Sequence, residues 1–288
     1  MTRRLMIDHI GAKGDGVALT DEGPCFIPRG IPGDVYLETR LDDGQPSFQR
    51  ETSSPHRVKA ICPLFGQCGG CVVQEADEQI YRQWKRGLVE QALMPLQCAD
   101  RVEDVIDAQG EGRRRVTFHA RRRDGDIIIG FMRARTHEVI DIASCPLLVP
   151  ALKASAPVLK SLLRPLVKAD KAIDVAVTAT EAGLDVDLRG YGSVSPSLRL
   201  ALTQEAERLD LARLSVHGDV IVERRAPRIM IGPTDVQLPP GSFLQATEAG
   251  QKTLQSIVSA HCRNASRLVD LFSGLGTFAL PLAAHAAV

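Results

Sequence analysis

Apolar and polar positions alternate with a period of two in several short stretches near the start of the chain. The clearest alternation covers residues 34–41, and shorter apolar runs occupy residues 17–19 and 25–27. Glycine-rich turns separate these runs, as expected where short strands follow one another closely. The pattern predicts a small OB-like β-barrel over residues 1–59. Few aromatic residues are available there for base stacking, so the pattern alone leaves RNA binding open.

A helical period replaces this alternation further along. Ile80, Trp84 and Leu88 recur at four-residue intervals, and Pro95 follows them. Because proline interrupts a helix, the pattern predicts a helix over residues 74–94. Trp84 is the only tryptophan, and we interpret it as a core anchor rather than a ligand contact.

A hairpin and a mixed α/β region follow this helix. Strand-like residues 113–123 lead into the turn Asp124-Gly125, and residues 127–129 return. An Asp-Gly pair between two such runs is a strong signal for a two-residue hairpin turn. Further predicted elements are helices over residues 158–167 and 198–209 and strands over residues 172–180, 184–188, 214–216, 220–222 and 229–231. We therefore predict an α+β domain over residues 60–237.

The last fifty or so residues have the pattern of a nucleotide-binding α/β unit. A helix is predicted over residues 246–262, a buried parallel strand over 267–272, and a glycine-rich turn over 273–278 that leads into another helix. Glycine lets a ligand approach the backbone, and the N–H groups of a helix start favour anionic groups. A buried parallel strand needs neighbours, yet the sequence stops at Val288 after one such unit. We therefore expect a fragment of a longer protein or a truncated gene product.

Composition says more about the cellular compartment of the protein than about its function. Lysine plus arginine and aspartate plus glutamate number 35 each, so the net charge is zero and argues neither for nor against a nucleic-acid partner. No apolar run reaches membrane-spanning length, and the N-terminus lacks the apolar core of a signal peptide. We predict a cytoplasmic protein without a membrane partner. In that compartment clustered cysteines indicate metal ligands or catalytic groups rather than disulfides.

Three cysteines lie within ten residues, as Cys62, Cys68 and Cys71, with the pair Gly69-Gly70 between the last two. Cys145 is distant in sequence, but a proline follows it as one follows Cys62. Four thiolates complete a tetrahedral set for zinc or for an iron–sulfur cluster, and the residues leave both open. The remaining cysteines are interpreted as packing residues: Cys25, Cys98 and Cys262.

Positive charge concentrates on the predicted hairpin. Between residues 113 and 135 there are eight arginines and two acids, a local net charge of +6. One interpretation is a ribbon that contacts phosphates, and the alternative is a solvated sheet edge whose charges prevent aggregation. We favour phosphate contact, through six arginines: Arg113, Arg114, Arg115, Arg121, Arg122 and Arg123.

With these pieces in order, the chain resembles the RNA 5-methyluridine (uracil-C5) methyltransferase family, in the branch with an iron–sulfur cluster. The likeness covers nearly all of the sequence and is most specific at the cysteine spacing, at residues 242–245 and at residues 270–282. It implies a multidomain protein with an N-terminal TRAM domain (a small RNA-binding barrel) at residues 1–59. A central iron–sulfur domain would occupy residues 60–237. The beginning of a Rossmann-like, class I methyltransferase domain would occupy residues 238–288.

The resemblance also implies cofactors and partners. A 4Fe-4S cluster would be held by four cysteines: Cys62, Cys68, Cys71 and Cys145. S-adenosyl-L-methionine (SAM) would be contacted by five residues: Gln245, Phe272, Gly274, Gly276 and Thr277. The substrate would be rRNA or tRNA, methylated at uracil C5, and we expect a monomer.

This sequence departs from the family pattern at three places. Thr277 replaces the usual asparagine, and residues 113–115 keep the charge of a basic motif but lose its aromatic residue. The implied catalytic cysteine and general base match no position here and are expected beyond Val288, so we name no catalytic residue and expect the chain alone to be inactive. Two alternatives stay open: a non-catalytic iron–sulfur RNA-binding module, and an NAD- or FAD-dependent oxidoreductase that uses the same glycine turn.

Overall fold

The structure is a computed structural model that describes residues 2–166 and 172–288. It divides into two compact units, Met1–Ile106 and Asp107–Val288. The sequence predicted boundaries after residues 59 and 237 instead, and that three-part division stays a prediction. Within the described ranges, no helix combines the length and the apolar character that crossing a membrane requires.

Two small antiparallel sheets form the first part of unit 1. The strands are β1 (Arg3–Met6), β2 (His9–Ile10), β3 (Gly16–Thr20), β4 (Gly23–Ile27), β5 (Val35–Arg40) and β6 (Pro46–Thr52). One sheet has the order β1-β5-β6 and the other β2-β3-β4. Side chains from both sheets form one core: Leu5, Ile7, Ala18, Ile27 and Tyr36. The three strands predicted from alternation are confirmed as β3, β4 and β5.

The segment after β6 carries the clustered cysteines and returns before the first helix. Val58 N–H donates to Glu75 O at 2.8 Å, which brings the two ends of the segment together. Helix α1 spans Glu78–Leu93, and the side chain of Asp77 caps it by accepting from Ile80 N–H. The helix predicted over residues 74–94 is confirmed, although it begins at Glu78. Trp84 packs against the core of this unit and donates to a backbone carbonyl, which supports its interpretation as an anchor.

A seven-stranded mixed sheet is the centre of unit 2. Its strands are β7 (Arg115–Arg123), β8 (Asp126–Met132), β9 (Val139–Asp141), β10 (Ile173–Thr180), β11 (Gly183–Arg189), β12 (Arg213–Val216) and β13 (Asp219–Glu223). The order is β13-β12-β11-β10-β7-β8-β9, and only the β11–β12 pairing is parallel. The predicted hairpin is confirmed as β7–β8. Asp124 and Gly125 both have positive φ, as the two-residue turn requires.

Three helices contact this sheet and one another: α2 (Pro150–Lys153), α3 (Ser155–Leu163) and α4 (Pro196–Arg208). Alternate strand residues such as Phe118, Val175 and Leu188 are buried, while their neighbours on the opposite face are mostly polar. The sheet therefore has an apolar face for its core and a polar face. The helix predicted over residues 158–167 is confirmed as α3, and its last residue, Val167, lies outside the described residues.

The end of unit 2 combines a hairpin with two helices. The strands are β14 (Arg228–Ile231) and β15 (Thr234–Gln237), and the helices are α5 (Glu248–His261) and α6 (Ala279–Leu282). Thr247 caps α5 by accepting from Gly250 N–H, which confirms a helix close to the predicted position.

The buried strand predicted over residues 267–272 is wrong in this structure. Val269 and Leu271 are strongly exposed, and an isolated bridge from Arg267 to Ala287 is the only pairing of this stretch within the described ranges. A buried parallel strand requires hydrogen-bonding neighbours on its sides, and none of the described strands lies beside it. Apolar composition alone therefore did not produce a strand.

Candidate functional site

The cysteine loop of unit 1 is tightly turned around its thiols. Cys68 N–H donates to Leu64 O at 2.9 Å, and Gly70 N–H lies 3.4 Å from the Sγ of Cys68. Cys62 and Cys71 are half-buried, as is Cys68.

A side chain that sequence analysis did not single out anchors the same loop. The Oε1 of Gln74 accepts a hydrogen bond from Cys62 N–H at 3.2 Å. Its Nε2 is buried and has no hydrogen-bond partner among the described residues. A buried donor without an acceptor is costly, so this amide suits an acceptor close to Cys62. In the sequence, the feature that could have drawn attention to Gln74 is its position three residues after Cys71.

Cys145, the predicted fourth ligand, belongs to unit 2. Its N–H donates to Lys153 O at 3.0 Å, and its carbonyl accepts from Leu148 N–H at 3.3 Å, which places it in a turn before α2. No disulfide joins any of the seven cysteines. Across residues 2–166 and 172–288, no group of three or more histidine, cysteine, aspartate or glutamate side chains has the geometry of a metal site. The four-cysteine ligand set therefore stays a prediction.

Strand β7 carries a row of basic and polar side chains on the polar face of the sheet. The side chains in this row come from alternate positions of the strand: Arg115, Thr117, His119, Arg121 and Arg123. His119 Nδ1 lies 2.7 Å from an oxygen of Asp174, and Arg123 pairs with Glu138 at 3.4 Å. The Nε of Arg121 is buried and without a hydrogen-bond partner among the described residues. These five side chains therefore share one face of β7.

Two further arginines that were predicted to bind RNA, Arg113 and Arg122, have different surroundings. Arg113 is exposed just before β7. Arg122 points from the other face and donates to Gly125 O at 3.1 Å and to Arg164 O at 3.3 Å. Both remain at the surface or near it, where a nucleic acid can reach them.

Arg114 requires a correction. It is buried, its Nη2 donates to Gln251 Oε1 at 2.7 Å, and its Nε donates to Gln245 O at 3.2 Å. Burial lowers the pKa of its guanidinium. Local charge density did not reveal that Arg114 points into the unit, whereas its neighbour Arg115 faces the polar side. Arg114 therefore presents no guanidinium to a phosphate.

A small cleft of about 50 Å³ opens on the polar face of the sheet. Its lining includes Arg115, Thr117, Thr178, Asp185, Asp187 and Arg189. Arg115 packs on the ring of Phe243, with 5.5 Å between its guanidinium carbon and the ring centroid. Burial lowers the pKa of Arg115, and the nearby charges of Arg113 and Arg189 lower it further. An anionic group entering the cleft would relieve this repulsion.

The predicted cofactor residues come from two segments that meet in one apolar cluster. Leu244 is buried in this cluster with Ile231, and Leu275 packs against it. Gln245 follows Leu244, while Gly274 and Gly276 flank Leu275 with φ of 57° and 77°. The structure thus brings the Gln245 segment and the glycine turn together.

Phe272 and Gly276 occupy contrasting environments within this turn. The side chain of Phe272 is fully exposed and its φ is 60°. At Gly276 an added Cβ would lie 2.8 Å from Leu280 Cγ, so the turn has no room for a side chain there. Glycine at this position is therefore required by both its positive φ and its packing.

Comparison with known proteins gives a family for this arrangement. An RNA methyltransferase from Mesorhizobium japonicum, itself uncharacterized, is 36% identical over 288 residues, which cover all of this chain and 69% of that protein. A 23S rRNA (uracil(1939)-C(5))-methyltransferase from Pectobacterium carotovorum is 27% identical over 299 residues, which cover 95% of this chain and 64% of that protein. This chain belongs to the RNA methyltransferase family. No protein-family model matches it.

A solved structure supports the fold of this methyltransferase chain. The tRNA (uracil-54, C5)-methyltransferase of Pyrococcus abyssi, in complex with S-adenosyl-L-homocysteine (SAH), superposes with a TM-score of 0.71. The match covers 97% of this chain and 70% of that one at 20% sequence identity. At that identity the likeness concerns the fold alone.

The sequence analysis of this methyltransferase chain missed Arg189 as well as Gln74. Arg189 lines the cleft beside Arg115, and its Nε donates to Asp187 at 2.8 Å. The alternating charges of Asp185, Asp187 and Arg189 along β11 were the available signal, because alternate strand residues share a face. Which face they share is decided by pairing with β10 and β12, and this is not local information.

Proposed function

We propose that this chain binds RNA and SAM for the methylation of uracil C5, in rRNA or tRNA. The observation that carries the proposal is one apolar cluster that contains Leu244 and has Leu275 packed against it, which brings the Gln245 segment and the glycine turn together. Gln245, Gly274, Gly276 and Thr277 would contact the cofactor, and the exposed ring of Phe272 would lie at its edge. The whole-chain likeness to RNA methyltransferases supports the same assignment.

The chemistry explains why both ligands are needed. Uracil C5 is a poor nucleophile until a thiolate adds to C6 and makes C5 enolate-like. C5 then attacks the methyl group of the sulfonium, and a base removes the C5 proton before the thiolate leaves. We assign neither the thiolate nor the base to any residue between 1 and 288.

The chain's own part in this chemistry would be to hold the RNA. A uracil inside stacked or paired RNA must be extracted before its ring is accessible. The polar face of β7 presents Arg115, Arg121 and Arg123, and the exposed Arg113 lies just before the strand, while Arg122 adds positive charge on the opposite face. Phosphate contacts from these groups would position the strand that flanks the extracted base. The small β-domain of unit 1 would add TRAM-like RNA contacts.

A 4Fe-4S cluster is part of the proposal, with Cys62, Cys68, Cys71 and Cys145 as its ligands. The buried Nε2 of Gln74, which lacks a partner among the described residues, fits a sulfur acceptor beside Cys62. The amide of Gly70 directed at Cys68 suits the same chemistry. When bound, the cluster would tie the cysteine loop together. We further propose that the protein acts in the cytoplasm as a monomer.

The decisive experiment maps 5-methyluridine in the rRNA and tRNA of the source cells with the gene intact, deleted and restored. We expect one or more uridines to lose C5 methylation on deletion and to regain it on restoration. An unchanged map would reject the methyltransferase assignment and leave RNA binding without catalysis. A second measurement compares equilibrium binding of SAH and NAD, and tighter binding of NAD would reject SAM as the cofactor.

A further inference from the structure

Helix α5 buries two glutamines on the face that it turns toward the rest of unit 2. Gln251 is 2% exposed and Gln255 is 9% exposed. Residues four apart share one side of a helix, so both amides point the same way. Glutamine is mostly exposed in proteins, and a buried amide is retained only where its hydrogen bonds are satisfied. The hydrogen-bond partners of these two amides are therefore informative.

Gln255 reaches the glycine turn. Its Nε2 donates to Thr277 O at 3.0 Å. A peptide unit is planar and trans, so its carbonyl oxygen and the following N–H point in opposite directions. With the oxygen of Thr277 held toward α5, the N–H of Phe278 is aimed away from α5. Gln255 thereby fixes the orientation of a peptide within the turn that follows Gly276.

Gln251 reaches the Gln245 segment through Arg114. Its Oε1 accepts from Arg114 Nη2 at 2.7 Å, and its Nε2 donates to Met230 O at 3.2 Å. Arg114 in turn holds two consecutive carbonyls, since its Nε donates to Gln245 O at 3.2 Å and its N–H donates to Ala246 O at 2.9 Å. The backbone of Gln245 is thus fixed from within the unit.

We propose that Gln255 and Arg114 are positioning residues of the cofactor site, Gln255 for the glycine turn and Arg114 for Gln245. This inference rests on the proposed function, because it assumes that these two segments bind SAM. One face of α5 would then fix the position of the Gln245 segment relative to the glycine turn. Arg114, although it lies in the most basic stretch of the sequence, serves the cofactor rather than the RNA.

The first test replaces Gln255 by methionine, which keeps the length of the side chain and removes the donor. Gln204, exposed on α4, provides the matched control Gln204→Met. Binding of SAH is measured by calorimetry, RNA affinity by fluorescence anisotropy with a uridine-containing single strand, and folding by thermal melting. For Gln255→Met we expect SAH affinity to fall about tenfold, the size of effect that one lost buried hydrogen bond produces. RNA affinity should equal that of Gln204→Met.

The second test replaces Arg114 by lysine, which keeps the charge and loses the multiple donors that hold Gln251 and Gln245. We expect weaker SAH binding and an unchanged dependence of RNA affinity on salt. Because lysine can still pair with a phosphate, the salt dependence is also measured for Arg114→Gln, which removes the charge. A slope reduced by one phosphate contact in that variant would make Arg114 an RNA ligand and overturn the inference for it.

The remaining outcomes separate this inference from the function on which it rests. If Gln255→Met and Arg114→Lys bind SAH as tightly as the unmodified chain, the network is only structural and the inference is overturned. If the unmodified chain binds no SAH, the proposed cofactor site itself fails. Should Gln255→Met not fold, the Arg114→Lys measurement decides alone, because that variant keeps the buried charge.

Discussion

Arg57 donates a hydrogen bond from Nη2 to Oδ2 of Asp34, a carboxylate with no exposed surface. Asp34 also accepts from the N–H groups of Ile31 at 2.9 Å and Ser54 at 2.8 Å. Burial alone would raise the pKa of Asp34, but the hydrogen bonds from Arg57, Ser54 and Ile31 outweigh it and hold the pKa below its ordinary value. This pair fixes the exit of the small β-domain, from which the cysteine loop continues.

The first prediction concerns acid stability. Because the folded-state pKa of Asp34 is depressed, its contribution is present above the ordinary aspartate pKa of about 4 and is lost as pH falls through the lower, folded value. We expect Asp34→Asn to lower the free energy of unfolding by about 2 kcal/mol at pH 7, because the buried Arg57 loses its charged hydrogen bonds to Asp34 and keeps only Glu75, which lies 2.7 Å from its Nη1. Urea unfolding at pH 7 and pH 3 checks this, because the difference from the unmodified chain should shrink in acid. Asp42→Asn, at an exposed site in the same unit, should change neither value.

The second prediction concerns the buried pair of Arg213 and Asp185 in the sheet of unit 2. Arg213 is 2% exposed and donates to both oxygens of Asp185, at 2.9 Å and 2.7 Å. Arg213→Met should lower the free energy of unfolding by about 3–5 kcal/mol, because the carboxylate is left buried and unpaired. Chemical denaturation of the variant measures this directly.

The same logic supplies two controls for Arg213→Met. Adding Asp185→Leu removes the orphaned charge and should recover much of the lost stability. Arg228 and Asp235 form an exposed pair at 2.7 Å, and Arg228→Met should cost less than about 1 kcal/mol. Equal losses at the buried and exposed pairs would show that burial does not determine the cost.

Local patterns predicted the elements whose determinants are local. The β7–β8 hairpin needed only two alternating runs and the turn Asp124-Gly125, and β5, β10 and β11 alternate clearly within themselves. Strand β6 is mostly exposed and polar, begins at Pro46, and carries little hydrophobic signal, so its pairing with β5 was not foreseen. For residues 267–272 the error is the reverse, since a strand was predicted there and none forms. An apolar run becomes a strand only where neighbouring strands are available to pair with it.

The sequence predicted which types of residue form the candidate site better than it predicted where their side chains point. Charge density identified the arginine stretch, yet it did not distinguish the buried Arg114 from Arg115, because that depends on where the strand begins and which face is covered. The glycine turn was recognised from its spacing. Gln74, Arg189 and Gln255 were missed since their roles arise from contacts with residues that are far away or on other elements.

The third prediction concerns RNA affinity. Replacing Arg121, Arg122 and Arg123 together by glutamine should weaken binding of single-stranded RNA and flatten its salt dependence. Each phosphate contact contributes about 0.7 to the slope of log K against log salt for single strands, so three lost contacts should reduce it by about 2. Fluorescence anisotropy over a salt series measures the slope. Arg208→Gln, on the exposed side of α4, is the control, and an unchanged slope in the triple variant would reduce these arginines to surface charge.

The fourth prediction concerns the cysteine loop. Protein purified without oxygen should be brown and contain acid-labile sulfide if the four predicted cysteines hold an iron–sulfur cluster, whereas a colourless, zinc-loaded preparation would reject the cluster. Given a cluster, Gln74→Leu should lower its reduction potential. Hydrogen bonds to sulfur stabilise the reduced, more negative state, and the substitution removes the buried donor beside Cys62.

Redox titration followed by electron paramagnetic resonance isolates the effect of Gln74 from any effect on cluster content. Gln67 lies exposed in the same loop, so Gln67→Leu makes the same chemical change without removing a buried donor. Its potential should equal that of the unmodified protein. If Gln74→Leu and Gln67→Leu have the same potential while both retain the cluster, the amide of Gln74 does not donate to sulfur. Its contact with Cys62 N–H would then be the whole of its role, as a brace for the backbone of the first ligand.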